Sequence, residues 1–152
     1  MCAGRKKKEF AAFGWKDIPD PESEKTFLDS RLNWEALRNN NHHHLWRLYK
    51  DVISLRRSII LNSRLSGIWY NNENQWIALE YTGKKQSRFG IIVSFLDRKQ
   101  SIAAPFRMKT FNEIFNTAYS RYGGKIKQKS KTYRKEISIP GCGVLAGKIT
   151  GR

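Results

Sequence analysis

Over residues 45–60, apolar side chains return at steps of three and four: Leu45, Leu48, Tyr49, Val52, Leu55 and Ile59. That spacing predicts one stripe of an α-helix. Trp46, Ile53 and Ile60 follow at steps of seven and widen the stripe, while Arg47, Lys50, Ser54 and Arg57 fall on the other side. A stripe this broad asks for a large partner surface. Residues 39–44, Asn-Asn-Asn-His-His-His, read as a polar break that leads into the helix.

From Ser66 onward the period changes to two. Ile77, Leu79 and Tyr81 share one face of a predicted strand, with Trp76, Ala78 and Glu80 on the other. Phe89, Ile91, Val93 and Phe95 share a face of the next, backed by Ile92 and Leu96. Polar clusters at residues 71–74, 83–85 and 97–99 supply the turns. Residues 100–104 predict a further strand, stopped by Pro105, and residues 110–119 read as another. Gly123-Gly124 marks a turn. Residues 135–139 and 144–149 predict a closing hairpin around Pro140-Gly141-Cys142-Gly143. Short strands at this spacing, with no helices between them, indicate an antiparallel β-sandwich. Near the start, Asp20-Pro21 predicts a short helix: Asp20 as cap, Pro21 at the first helical position, Glu22 and Glu24 at the positive end of the dipole.

Composition narrows the classes. The chain has 152 residues, 39% of them hydrophobic, including eight Phe, six Tyr and five Trp. That suits one domain, or one domain with part of another, and argues against disorder. No apolar run approaches the ~20 residues that cross a bilayer. No apolar segment follows the basic residues 5–8, so a secretory signal is not expected. Cys2 and Cys142 lack metal-ligand spacing and are expected to be free thiols of a cytoplasmic protein. The net charge of +16 would attract nucleic acid, but only non-specifically.

Candidate chemistry is sparse. His42, His43 and His44 are adjacent in sequence and would not converge on one ion, so neither a metal nor a cofactor is expected. Glycosidic hydrolysis needs one protonated and one ionised carboxyl across the sugar. The only acidic cluster, Asp17, Asp20, Glu22 and Glu24, is better explained by helix capping. Six cations at residues 125–135 surround Tyr133 in a charged loop. No nucleotide-binding or nucleophile-elbow motif is present. Phe10, Phe13 and Trp15 are candidates to lie beside a sugar substrate, with burial in a core as the competing reading.

The block Gly4-Arg5, Glu9 to Trp15 (EFAAFGW), Ile18-Pro19-Asp20-Pro21, Thr26-Phe27 and Ser30 to Trp34 (SRLNW) resembles the malto-oligosyltrehalose trehalohydrolase family of the α-amylase superfamily of glycoside hydrolases. In that family the block follows the eighth strand of a (β/α)₈ barrel. Residues 45–57 look like its last barrel helix, and the later strands like its C-terminal β-domain, including Arg121-Tyr122-Gly123-Gly124 and Ile137-Ser138-Ile139-Pro140. The resemblance implies an α+β chain: residues 1–61 as the end of the barrel, and residues 62–152 as an antiparallel β-sandwich. It implies release of trehalose from maltooligosyl-trehalose by hydrolysis of an α-1,4 bond. The family's nucleophile, acid/base and third carboxylate lie on earlier barrel strands, and no residue here matches them. The chain alone is then expected to be inactive. Its expected partner is a catalytic barrel, in the same longer chain or a separate polypeptide, through which it would meet a maltooligosaccharide-type substrate. Without that barrel, the exposed helix stripe would promote self-association. A stand-alone sugar-binding β-module and a basic nucleic-acid-binding protein are the alternative readings.

Overall fold

A computed structural model describes Asp20 and residues 22–151 of the chain. The chain divides into two compact units, Met1–Ala36 and Leu37–Arg152. The first contains the short helix α1 (Glu24–Asp29). Its N-cap is Ser23, in extended conformation, and not Asp20. Asp20 instead accepts the N–H of Glu22 at 3.1 Å, a local turn that competes with the capping geometry. Pro21 lies outside the described residues. A 3-10 turn, Trp34–Arg38, leads on.

The second unit opens with the long helix α2 (Asn40–Ser58). It begins five residues before the predicted stripe. Asn39 is its N-cap and accepts the N–H of Asn41 at 3.0 Å, so the polar hexapeptide is not a break. One asparagine caps the helix, and the others, with the three histidines, form its first turns. Arg56 and Arg57 occupy the last turn, where the dipole favours cations.

Eight strands follow: β1 (Ser63–Asn71), β2 (Trp76–Gly83), β3 (Arg88–Ser94), β4 (Gln100–Ala103), β5 (Thr110–Asn116), β6 (Thr132–Tyr133), β7 (Glu136–Ile139) and β8 (Gly143–Thr150). Six form one antiparallel sheet in the order β1-β2-β3-β8-β5-β6, and β4 pairs with β7 in a second. The expected architecture of helix and antiparallel sheet is present, with a sandwich-like core. The closing hairpin is not. β7 pairs with β4, and β8 inserts between β3 and β5. The intervening turn crosses from one sheet to the other, pinned by the N–H of Cys142 on the carbonyl of Leu96 at 2.7 Å. Alternation fixes which residues share a face but says nothing of which strand lies alongside. Residues 110–119 likewise leave strand geometry after Asn116, where Tyr119, Ser120 and Tyr122 bond locally in a turn.

The core lies between the sheets. Ala78, Ile92, Leu145, Ile149 and Phe111 of the large sheet meet Ile102, Ile137 and Ile139 of the small one, with Phe106 from the β4–β5 connection. The large sheet is built thin where the aromatic rings lie. Gly90 and Gly147 are directly opposed on β3 and β8. A Cβ on Gly90 would stand 2.6 Å from the Phe106 ring, and one on Gly147 would stand 2.7 Å from the Phe111 ring. Those rings stack on each other at 5.8 Å. Gly90→Ala is therefore expected to force both rings aside and to destabilise the domain by about 1–3 kcal/mol, the usual range for overpacking. The midpoint of urea unfolding reads this directly. A variant as stable as the parent would mean that the rings do not rest on the backbone.

The opposite face of the large sheet, with Ile91, Val93, Val144 and Ala146, carries α2. Toward the β1 edge that face is uncovered, and Ile68 and Tyr70 are exposed.

Candidate functional site

Phe10, Phe13 and Trp15 lie outside the described residues, as does Asp17. The described members of the acidic cluster, Asp20, Glu22 and Glu24, are exposed at the start of α1. The histidines diverge: His43 packs its ring on Trp46 at 5.7 Å, and His44 lies against Gly123. No group of three potential metal ligands forms among the described residues.

What the fold does assemble is the seat of α2. Apolar residues occupy roughly half of the helix circumference. Leu48, Leu55 and Ile59 are half-buried, whereas Tyr49 is 63% exposed, Leu45 53% and Ile53 48%. Between helix and sheet runs an open apolar cleft of about 520 Å³, lined on one side by Leu45, Tyr49 and Val52 and on the other by Val93, Phe115 and Val144. Within the second unit the helix is thus covered along one flank only.

A polar clasp fixes that flank. Asp51 accepts the Tyr122 hydroxyl at 2.6 Å and the Arg121 guanidinium at 2.7 Å. The Arg121 guanidinium also lies 5.2 Å from the Tyr122 ring centre. Burial, followed by the hydrogen bond to Asp51, pushes the Tyr122 phenol up to about 12. So the Arg121-Tyr122-Gly123-Gly124 turn, noted in sequence for its family likeness, is the element that holds α2. Asp51 gave one sequence signal: it is the only acid in the helix.

A second cluster lies within the sheet. Glu113, on β5, is 2% exposed and has no cation beside it among the described residues. Its carboxylate accepts from the hydroxyls of Tyr119 and Tyr133 (2.8 Å for the latter) and from the Asn116 amide at 3.2 Å. Burial first, and then the bond to Glu113, push both phenols far up. Wrapped in donors, this carboxylate is a structural anchor. The other buried acid among the described residues, Glu80, is neutralised by Arg88 at 2.5 Å. In sequence the sign of Glu113 was an acid on the same alternation as Phe111 and Phe115.

The raised phenols set an alkaline limit. An ordinary tyrosine titrates near 10.0. Their contribution is intact below that pH. Above it, the unfolded chain releases protons that the folded chain retains, and stability is lost as pH rises toward the folded values. The urea midpoint is expected to fall steadily from pH 10 to pH 12. A midpoint that stays level across that window would mean that these hydroxyls are not buried donors.

No family model matches the chain. Similarity to curated proteins is partial but consistent. One from Deinococcus radiodurans is 46% identical over 59 residues, 38% of this chain and 10% of the relative. One from Mycobacterium tuberculosis is 36% identical over 86 residues, 51% of this chain and 14% of the relative. Both are malto-oligosyltrehalose trehalohydrolases. The chain is similar to part of a trehalohydrolase. A third trehalohydrolase, from a Rhizobium species, extends the similarity to 64% of this chain at 29% identity, and covers 17% of the relative's length. The chain therefore spans less than a fifth of each of these trehalohydrolases. No helix among the described residues is long and apolar enough to cross a membrane.

Proposed function

We propose that this chain is the C-terminal part of a trehalose-releasing glycoside hydrolase, in which it forms the last barrel helix and the β-domain that covers it. The similarity to trehalohydrolases over half or more of the chain carries this reading. The packing of α2 supports it physically. Its apolar residues extend well beyond the flank that the sheet covers, as suits a helix lying between two partners. In this reading one flank rests on the β-domain through Leu48, Leu55 and the Asp51 clasp. The other, with Trp46, Tyr49 and Ile53, rests on a catalytic barrel lying outside these 152 residues. That barrel supplies the nucleophile, the acid/base and the third carboxylate, and it binds the maltooligosyl-trehalose. The chain's own role is to stabilise it.

The DNA upstream of the Met1 codon tests the proposal. A barrel with its three carboxylates is expected there, in frame or in an adjacent gene. Unrelated sequence, or trehalose release by the purified 152-residue chain alone, would overturn it.

A further inference from the structure

The outward flank of α2 is laid out in three parallel rows, because residues seven apart lie nearly two full turns along the same face. Trp46 and Ile53 form the middle row, Tyr49 and Arg56 one border, and Lys50 and Arg57 the other. All six are exposed. Trp46 is held by its own helix: the His43 ring lies 5.7 Å away, and the Lys50 ammonium lies 5.0 Å from the indole centre. An aromatic side chain fixed in advance is a good anchor for a partner, since it has little freedom left to lose on docking. Beside it an open hollow separates two cations, lined by Lys50, Ile53, Ser54, Arg57 and Ser58. Lys50 and Arg57 stand about 10.5 Å apart along the helix axis, and both side chains are long enough to converge on a group placed between them.

Charge decides what kind of surface fits there. The helix carries four cations, Arg47, Lys50, Arg56 and Arg57, and one acid. That acid, Asp51, is already taken by Arg121 and Tyr122 on the covered flank. The four cations form no ion pair among the described residues. The helix dipole accounts for Arg56 and Arg57 in the last turn, but not for Lys50 in the middle. A cation buried without a partner is costly, so whatever covers this flank has to bring carboxylates. A second copy docking flank to flank does not: it sets the same cations against each other on two chains of +16 each. We infer that the covering surface is apolar where it meets Trp46 and Ile53 and acidic at its rim, with a carboxylate seated between Lys50 and Arg57. The inference rests on the reading of α2 as a helix lying between the β-domain and a catalytic barrel, and it assigns the acidic rim to that barrel.

The test uses this chain with the barrel as their genes encode them, in one polypeptide or in two that are coexpressed, and follows the rate of thermal inactivation of trehalose release. Lys50→Gln with Arg57→Gln is expected to raise that rate by about tenfold or more, since it strands the barrel's carboxylates. A matched pair, Lys99→Gln with Arg107→Gln, removes an exposed lysine and an exposed arginine from the β3–β4 and β4–β5 connections and is expected to leave the rate within about twofold of the parent's. In the 152-residue chain alone, both pairs are expected to keep the urea midpoint near the parent's. A midpoint lowered by the Lys50 and Arg57 changes alone would place their role inside the chain and overturn the inference. If no barrel is encoded beside this chain, or the assembled product releases no trehalose, the reading of function falls and the inference falls with it. If trehalose is released and the two double variants inactivate at the same rate, only the inference falls. A dimer of the 152-residue chain that Ile53→Asp dissolves would also overturn it, by making a second copy the occupant.

Discussion

Phe111→Ala is expected to cost about 3–5 kcal/mol, the range for removing a buried aromatic side chain. The ring is fully buried at the meeting point of the two sheets. It stacks on Phe106 at 5.8 Å, leans on Tyr133 at 6.2 Å and lies against Gly147. Alanine would leave a cavity walled on one side by backbone, and a backbone that is part of a central strand pair cannot collapse inward as a side chain can. Domains of this size are stable by only about 5–15 kcal/mol, so a fifth or more of the total is at stake. Urea unfolding followed by circular dichroism measures it. Phe95→Ala, at a site 64% exposed, is the comparison and is expected to be nearly neutral. A loss below about 1 kcal/mol for Phe111→Ala would mean that the aromatic stack is not the keystone of the core.

Glu113→Ala is expected to be the second most damaging change, on the order of 3 kcal/mol. Of the three donors that converge on the carboxylate, the Tyr119 phenol and the Asn116 amide would lose their acceptor, and the Tyr133 phenol would keep only the Ser138 carbonyl at 3.5 Å. Orphaned buried donors cost about 1–3 kcal/mol each, less whatever water can enter. Glu113→Gln retains one carbonyl oxygen and is expected to lose less than half as much. Tyr133→Phe removes one donor and should cost about 1–2 kcal/mol by itself. In the Glu113→Ala background the same change should cost much less, because its partner is already gone. Additive losses in that cycle would show that the tyrosine and the carboxylate act independently, against the geometry.

Much of the fold was legible in the chain because two periods are clean. The steps of three and four that predict α2, and the alternation from residue 66 onward, are both realised. Alternation did not show which face would be sealed. The bulkier face of β2 and β3, with Ile77, Leu79, Ile91 and Val93, is only half-buried on the α2 side. The face with Ala78, Gly90 and Ser94 is sealed, because large residues arrive there from elsewhere: Phe106, Phe111, Ile137 and Ile139. Small residues on one strand record the bulk of another, and that exchange is not visible within a single strand. The same limit applies to the turn at residues 140–143, whose glycines suit a hairpin equally well as a crossing between sheets. The Asp51 clasp joins residues 71 positions apart, beyond the reach of any local pattern. Phe10, Phe13 and Trp15, read as either sugar-facing or core aromatics, lie outside the described residues.

The place of β8 bears on how the protein is made. It is the last of the described strands, yet it lies in the middle of the large sheet, bonded to β3 on one side and β5 on the other. During synthesis, β1, β2 and β3 can pair as soon as they leave the ribosome, since each adjoins its neighbour in sequence. β5 and β6 can pair with each other, but the strand that joins them to β3 is still being translated. At about 5–20 residues per second, the edge of β3 waits some seconds, unpaired, for Gly143–Thr150 to emerge. Through that interval the edge of β3 is a template for any passing strand. Slower translation across the preceding lysine-rich segment would lengthen the exposure. Nascent chains stalled before residue 143 are thus expected to recruit holding chaperones, and those released after residue 150 to shed them.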